Sequence, residues 1–391
     1  MFERETTSSE ALYNIMSTIH ALGLNPIAHY ADATKLVATA QLFDNCNNFV
    51  ESGAGKGPDA LIGALAESIE HFSTFRSHTD DHISQRSESI ATQKTAENDG
   101  LFINLPHSEE LIKCFKLTTL DNKQTLLIPC ILLCPRTADK SLSKNSSAVN
   151  FLNRYSSNSG IAYGCTEDEA LLHGTLEVIE RHILSLFFMA TCAIGPKIDL
   201  YKPSKDLLRK SLQNDESSLE RADKLQIIII KDVMSVYFSV AIPKEGPGGL
   251  HLSSIGSGCS LDICTAIQRA VTEQFQADVL YDAAEEANDR KTLDLLSSSK
   301  NLKSLIDFSP IKNLRLPTFH YHSQNSRITV SEQIKTLDAE LLKTNKQIFR
   351  RTVTRFSDKS IVSQTYIPGL ERFNIIRNGL LVAPQHILRG N

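Results

Sequence analysis

The sequence predicts a mixed α/β fold, because segments with strand character alternate with long helical patterns along its 391 residues. This length suits two to three domains or one large α/β unit. A hydrophobic fraction of 41% and a charged fraction of 22% are ordinary for globular proteins, which argues against wholesale disorder. The formal net charge of −4 argues against sequence-independent binding of nucleic acid as the main role.

The hydrophobic pattern places the elements along the chain. An amphipathic helix is expected at 11–24, strands at 126–133, 225–230 and 235–242, and long helices at 169–188 and 260–281. Polar segments at 77–100, 139–150 and 283–303 indicate loops or exposed helices. The charged N-terminal residues lack an apolar signal core, and the longest apolar run, 183–194, is too short to cross a membrane. With eight sparse cysteines and no Cys-x-x-Cys, a cytoplasmic location without membrane contact is expected.

Four polar residues between positions 78 and 82 could suggest a metal site, but we expect a solvated loop there. They are His78, Asp80, Asp81 and His82. His320 and His322 share one face of a short strand pattern, where a structural or surface role is expected. The cysteines in apolar runs are expected to be small core residues: Cys130, Cys134 and Cys192.

A short pattern occurs three times in the chain. Each copy is a glycine-rich turn, a helix start with small residues, and two acidic or amide side chains three residues apart. The turns are 53–57, 160–164 and 256–258, and the paired side chains are Glu67 with Glu70, Glu177 with Glu180, and Glu273 with Gln276.

This repeated pattern predicts a magnesium–nucleotide site. Residues three apart share one helix face, so each pair points its carboxylates in one direction. Converging carboxylates repel each other unless cations lie between them, and Mg²⁺ prefers oxygen ligands. Glycine loops that open helices supply N–H groups to phosphates. One such pair alone would indicate a solvated helix face, but three copies do not. The loop is not a Walker A motif, because Gly57 stands where Ser or Thr would be required.

The three motifs resemble those of the YcaO superfamily, which uses ATP to modify peptide backbones. The first is matched by Gly55-Lys56-Gly57 and residues 64–71, the second by residues 158–164, 169–170 and 174–181, and the third by residues 256–276. The resemblance implies one large YcaO-type α/β domain at 53–372, whose pseudo-repeated strand/helix units converge on ATP and Mg²⁺. Residues 1–52 would be an N-terminal extension and 373–391 a C-terminal tail.

The resemblance also implies roles for individual residues, although it assigns no catalytic residue. The expected Mg²⁺ ligands are Glu67, Glu70, Glu177 and Glu180. The nucleotide is expected to contact Lys56, Ala162, Cys165, Glu169, Arg181, Arg269, Glu273 and Gln276. Two positions depart from the family pattern, because His71 replaces the usual Arg and Cys165 stands where Asn is frequent.

Family chemistry has two branches. In one, a Cys, Ser or Thr side chain of a ribosomal precursor peptide attacks the preceding amide, ATP phosphorylates the oxyanion, and an azoline ring forms. In the other, an external sulfide attacks and a thioamide forms. The expected function is azoline formation, although residues 381–391 hold one proline instead of a Pro-x-Pro-x-Pro tail. Peptide thioamidation and a non-catalytic ATP-binding scaffold remain the alternatives.

The expected partners follow from the same resemblance. A leader-binding module needs roughly 80 residues, more than the fifty or so that precede Gly53. We therefore expect a separate partner, of the ubiquitin-activating-like or TfuA type, to bind the leader of the precursor peptide. A flavin dehydrogenase in the same complex and a homo- or hetero-oligomeric state are further expectations.

Overall fold

The computed structural model describes residues 3–75, 82–135, 146–245, 252–321 and 328–389. In this part the helices are α1 (Ser8–Ala21), α2 (Ala60–Phe75), α3 (Ser87–Ala91), α4 (Gly100–Ile103), α5 (Cys130–Leu133), α6 (Ser147–Asn153), α7 (Glu167–Thr191), α8 (Lys205–Ser211), α9 (Glu216–Ala222), α10 (Ile263–Val279), α11 (Ala283–Ser297), α12 (Ser304–Asp307), α13 (Ser309–Lys312), α14 (Val330–Leu342) and α15 (Gln385–Leu388). Short 3₁₀ helices span Lys94–Ala96 and Phe373–Asn378.

The strands are β1 (Asn25–Tyr30), β2 (Val37–Phe43), β3 (Phe49–Lys56), β4 (Ile83–Gln85), β5 (Ile112–Thr119), β6 (Thr125–Pro129), β7 (Ile161–Gly164), β8 (Lys202–Pro203), β9 (Leu225–Val233), β10 (Val236–Pro243), β11 (Gly256–Ser260), β12 (Thr318–Phe319), β13 (Phe349–Arg355) and β14 (Ile361–Tyr366). The largest sheet has the order β4-β5-β13-β14-β7, with β6 paired to β5. Two three-stranded sheets, β1-β2-β3 and β11-β10-β9, and a short β12-β8 pair complete the described topology.

The predicted α/β class is confirmed, and so are the long helices and two of the three strands. The expected strand at 126–133 is wrong in its second half, where β6 ends at Pro129 and α5 begins at Cys130. Proline lacks the N–H that a strand ladder uses, and here it stands at the start of the short helix. The polar segment at 283–303 is mostly the exposed helix α11. His78, Asp80, Asp81 and His322 lie outside the described residues.

Three apolar clusters hold the sheets and helices of the described structure together. The long helix α7 is buried along most of its length, and its Phe187 and Phe188 pack against Phe308. Thr166 caps the start of α7 by accepting a hydrogen bond from the backbone of Glu169. Cys130, Cys134 and Cys192 are buried as predicted. Among the described helices, none combines the length and apolar character that crossing a bilayer requires.

The prediction of glycine-rich turns at 53–57, 160–164 and 256–258 is wrong, because most of these residues lie in strands β3, β7 and β11. The glycines let these strands lie directly on their helices. A Cβ atom at Gly55 of β3 would lie 1.7 Å from the carbonyl oxygen of Ala60 in α2. At Gly258 of β11 it would lie 2.4 Å from the carbonyl oxygen of Ala266 in α10. Only glycine allows such contact between strand and helix backbones. Strand β1 pairs with β2 and β2 pairs with β3, so both strands that precede Gly53 lie in the same sheet as β3.

Candidate functional site

Three strand–helix units build the site: β3 with α2, β7 with α7, and β11 with α10. In two units, the first glutamate of the repeated pattern accepts a hydrogen bond from a backbone N–H at the strand of the same unit. Ala54 N donates to Glu67 Oε2 at 2.8 Å, and Gly160 N donates to Glu177 Oε2 at 3.1 Å. In the third unit, Glu273 lies near the Ser257 backbone. This shared geometry confirms the pseudo-repeated architecture.

A second set of contacts joins the units to one another. Glu70 Oε1 of the first unit accepts a hydrogen bond from Tyr163 N of the second at 2.7 Å. Glu180 Oε1 of the second accepts one from Ser257 Oγ of the third at 2.6 Å. Glu273 Oε2 of the third pairs with Lys56 Nζ of the first at 2.5 Å. Each helix therefore contacts the strand of the next unit, and the contacts close into a ring.

Arg181 lies among the carboxylates of this ring. Its Nη1 atom is 3.7 Å from Glu180 Oε1 and 4.0 Å from Glu273 Oε1, and its Nε atom is 3.8 Å from Glu177 Oε1. Burial lowers the pKa of Arg181, but attraction to these three carboxylates outweighs burial and raises it above its ordinary value. The guanidinium therefore stays charged in a partly buried position.

The ring carries more carboxylates than cations. Burial raises the pKa of Glu70 to about 8, and repulsion by Glu67 and Glu177 acts in the same direction. Burial also raises the pKa of Glu177, with Glu180 and Glu273 adding repulsion against the attraction of Arg181. Raised carboxyl pKa values mean that negative charge accumulates here at a cost, which a bound cation would relieve.

The donor set fits Mg²⁺ that is shared with phosphate oxygens. Among the described residues, no three His, Cys, Asp or Glu side chains form a group able to hold a metal by themselves. Mg²⁺ does not require such a cage, because it is usually bound by one or two carboxylates together with substrate phosphates and water. The paired glutamates fit that requirement, and Lys56 and Arg181 would supply positive charge to phosphates bound beside them.

His71, which replaces the usual Arg, lies beside the first pair of glutamates. Its Nδ1 atom is 2.7 Å from the Ser52 carbonyl oxygen, which requires the proton on Nδ1. Its Nε2 atom is 3.7 Å from Glu67 Oε1. Arg181 has the same four-residue spacing from Glu177 in the second unit. His71 thus borders Glu67 as Arg181 borders Glu177.

The remaining predicted contacts lie around the same strands. Cys165, directly after β7, donates its backbone N–H to Glu169 Oε2 at 3.0 Å, and burial raises the pKa of its thiol. Ala162 is buried in β7 opposite Ser363. Arg269 Nη1 donates to the Cys259 carbonyl oxygen at 2.9 Å. Gln276 lies on α10 one turn beyond Glu273 and is partly exposed.

Sequence reasoning missed several groups at the site. Ser257 is one of them, although its place between Gly256 and Gly258 could have indicated it. Glu3, Glu5 and Thr6 also contact the site, and no motif marks them. A narrow cleft adjoins Arg181 and is bordered by Ser157, Ser159, Val178, Tyr366, Ile367, Leu370, Glu371, Arg372, Asn374 and Ile375. The Ser159 hydroxyl is buried in the described structure without a hydrogen-bond partner.

Comparisons with known proteins agree with this architecture. The family model "YcaO cyclodehydratase", described as ATP- and Mg²⁺-binding, matches residues 53–371. A solved heterocyclase in complex with substrate and cofactor has a TM-score of 0.66 at 16% identity, with 98% of this chain and 56% of that chain covered. The YcaO of Methanopyrus kandleri bound with AMPPCP and Mg²⁺ has a TM-score of 0.62 at 16% identity, covering 97% and 96%. The E. coli microcin synthetase McbBCD complex has a TM-score of 0.55 at 14% identity, covering 88% and 86%.

The chain belongs to the YcaO family, since the family model covers most of its length. The expected cofactors, ATP and Mg²⁺, are confirmed at the level of that family. The structural likenesses show the fold alone, because their identities are low, and the chain spans only about half of the heterocyclase. A search of curated proteins finds no match.

Proposed function

We propose that the chain is an ATP- and Mg²⁺-dependent cyclodehydratase that converts Cys, Ser or Thr residues of a ribosomal precursor peptide into azolines. The observation that carries this proposal is the closed ring of carboxylates with Lys56 and Arg181 inside it. A protein that used this place only for packing would not need so many glutamates near one another, because burying charge without compensation is unfavourable.

The proposal assigns the glutamate pairs to Mg²⁺ and the cations to phosphate. Mg²⁺ would be bound through carboxylate oxygens of Glu67, Glu70, Glu177 and Glu180. The raised pKa of Glu70 supports this assignment, and so does the hydrogen bond that Ser257 Oγ donates to Glu180 Oε1. Lys56 and Arg181 would neutralise phosphate oxygens. The rest of the nucleotide site would be formed by Ala162, Cys165, Glu169, Arg269, Glu273 and Gln276.

The chemistry explains why such a site is needed. An amide oxygen is a poor leaving group, and bound ATP with Mg²⁺ supplies the phosphate that activates it. The contribution of this chain is to fix charges in advance, in a partly buried place where they act strongly. Arg181 suits that task, because three carboxylates hold its guanidinium in position before any substrate arrives.

The proposal includes a peptide substrate and a separate leader-binding partner. The solved heterocyclase contains a substrate, and a microcin synthetase complex contains the peptide pro-MccB17. We propose the same class of substrate for this chain, delivered by a ubiquitin-activating-like or TfuA-type partner.

The test combines nucleotide binding with peptide mass. ATP with MgCl₂ should raise the melting temperature of the protein, because only the folded state binds it. The E67A/E70A double variant should lose this shift. The E109A/E110A variant removes two exposed carboxylates elsewhere and should keep it. A flat response of the wild-type protein would contradict the nucleotide site.

Turnover then separates the candidate reactions. With the candidate partner and the precursor peptide, loss of one water per modified residue, together with phosphate release, supports azoline formation. Exchange of oxygen for sulfur, only when sulfide is supplied, would favour thioamidation. ATP binding without any change in peptide mass, with every partner tried, would favour a non-catalytic scaffold.

A further inference from the structure

A segment near the start of the chain, Glu3 to Thr6, lies on the proposed nucleotide contacts. The backbone N–H groups of Glu5 and Thr6 donate to Glu169 Oε1 at 2.5 and 3.1 Å. The side chain of Glu169 is only 1% exposed. This segment, called the strap below, therefore covers Glu169.

The acidic end of the strap reaches a second residue of the site. Glu3 Oε2 pairs with Arg269 Nη2 at 2.5 Å, and Glu3 Oε1 accepts a hydrogen bond from Ser260 Oγ at 2.5 Å. Only 8% of the Glu3 side chain is exposed. Glu5 extends the attachment, since its carboxylate accepts a hydrogen bond from Thr166 Oγ1 at 2.5 Å. The strap thus contacts both units that provide Glu169 and Arg269.

We propose that residues 3–6 form an autoinhibitory strap, in which the Glu3 carboxylate binds the Arg269 guanidinium where a nucleotide oxygen would otherwise bind. A carboxylate and a phosphate bind arginine through the same kind of charge-assisted hydrogen bond. One guanidinium nitrogen of Arg269 already bonds to the Cys259 carbonyl oxygen, and Glu3 takes the other terminal nitrogen. The strap must leave before a nucleotide can contact Arg269 and Glu169.

This inference rests on the proposed function, because it takes Arg269 and Glu169 as nucleotide contacts. Its consequence is quantitative. When only a fraction of molecules has the strap released, the apparent affinity for nucleotide falls by that fraction. A change that weakens the strap should therefore tighten nucleotide binding. If the strap instead stayed in place and helped to hold the nucleotide, a change that weakens the strap would weaken nucleotide binding.

The first arm of the test measures AMPPCP affinity in MgCl₂ by calorimetry. E3Q removes the charge that pairs with Arg269 and should lower the dissociation constant about tenfold. E3D keeps the charge on a shorter side chain and should fall between E3Q and wild type. The control E109Q makes the same charge change at a side chain that is 84% exposed, and it should bind like wild type.

The second arm observes the strap directly. The sequence contains no tryptophan, so R4W provides a single fluorescent reporter within the strap, at a side chain that is 51% exposed. Adding AMPPCP with MgCl₂ should change its emission as the strap leaves. In the E3Q background the emission should already resemble the nucleotide-bound state.

The outcomes separate this inference from the proposed function. Equal or weaker binding by E3Q, with measurable binding by wild type, overturns the strap and leaves the nucleotide site intact. An R4W emission that nucleotide does not alter, in protein that binds it, overturns the strap as well. Binding by neither wild type nor E3Q overturns both proposals. Binding by E3Q alone supports both.

Discussion

Replacing Gly55 by alanine should destabilise the first strand–helix unit severely. The new Cβ would lie 1.7 Å from the Ala60 carbonyl oxygen and 2.5 Å from Ala64 N. An ordinary contact begins near 3.4 Å, so the α2 backbone would have to move by about 1.7 Å. Overpacking costs about 1–3 kcal/mol where side chains can adjust. Here the obstacles are helix backbone, so we expect at least about 3 kcal/mol, a large share of the roughly 5–15 kcal/mol that holds a domain folded.

A control for this substitution lies on the facing side of the same contact. A Cβ at Gly63 in α2 would meet Gly55 Cα at 3.4 Å, which is an ordinary contact. Since alanine favours a helix over glycine by about 1 kcal/mol, G63A should be neutral or stabilising. Urea unfolding followed by circular dichroism measures both variants. If G55A stayed within about 0.5 kcal/mol of wild type and kept its ATP-induced thermal shift, the account of glycine in these units would be wrong.

The remaining predictions concern charged side chains. E180Q keeps an acceptor for Ser257 Oγ but removes the charge of a proposed Mg²⁺ ligand, so ATP-dependent phosphate release should fall at least about 100-fold, with little change in melting temperature. H71A should weaken AMPPCP binding, because Glu67 loses its contact with the His71 ring. H71R should restore binding, and calorimetry on both variants tests this. E167Q should cost about 0.5–1 kcal/mol in urea at pH 7, because Arg355 first and Arg350 next lower the pKa of the partly exposed Glu167. A lowered folded pKa stabilises the protein above the unfolded value of 4.5, so this difference should shrink as the pH falls below 4.5; a difference that does not shrink would contradict the ion-pair explanation.

The sequence was most informative where backbone geometry restricts the residue type. Gly55 and Gly258 were marked by the repeated pattern, although as turn residues; they lie in strands, where a strand can lie on a helix at that distance only without a Cβ atom. The glutamate pairs were recognisable because residues three apart share a helix face. The β6–α5 boundary was missed, because a continuous apolar run suits a buried strand and a buried helix equally. Pro129 was the one residue that could have located it.

Contacts between distant residues could not be predicted in the same way. Glu3 and Arg269 are 266 positions apart, and no periodicity links them. The hydrogen bond from Tyr163 N to Glu70 likewise depends on how β7 approaches α2. A local pattern states which side of a helix a carboxylate occupies. Its partner is determined by the packing of whole units, which no single motif encodes.

The arrangement of the units also suits the cation site that we propose for the carboxylates. Strands β3, β7 and β11 each stand at the end of their described sheet order, so each presents backbone N–H groups on an edge without a neighbouring strand. Glutamate carboxylates accept hydrogen bonds from such N–H groups, as in the bond from Tyr163 N to Glu70 Oε1. A carboxylate accepts about four hydrogen bonds or equivalent contacts, so one N–H bond fixes its orientation and leaves capacity for a cation. The strand edges thus orient the glutamates, and the absence of a further strand at each edge makes room for the nucleotide that we propose they bind.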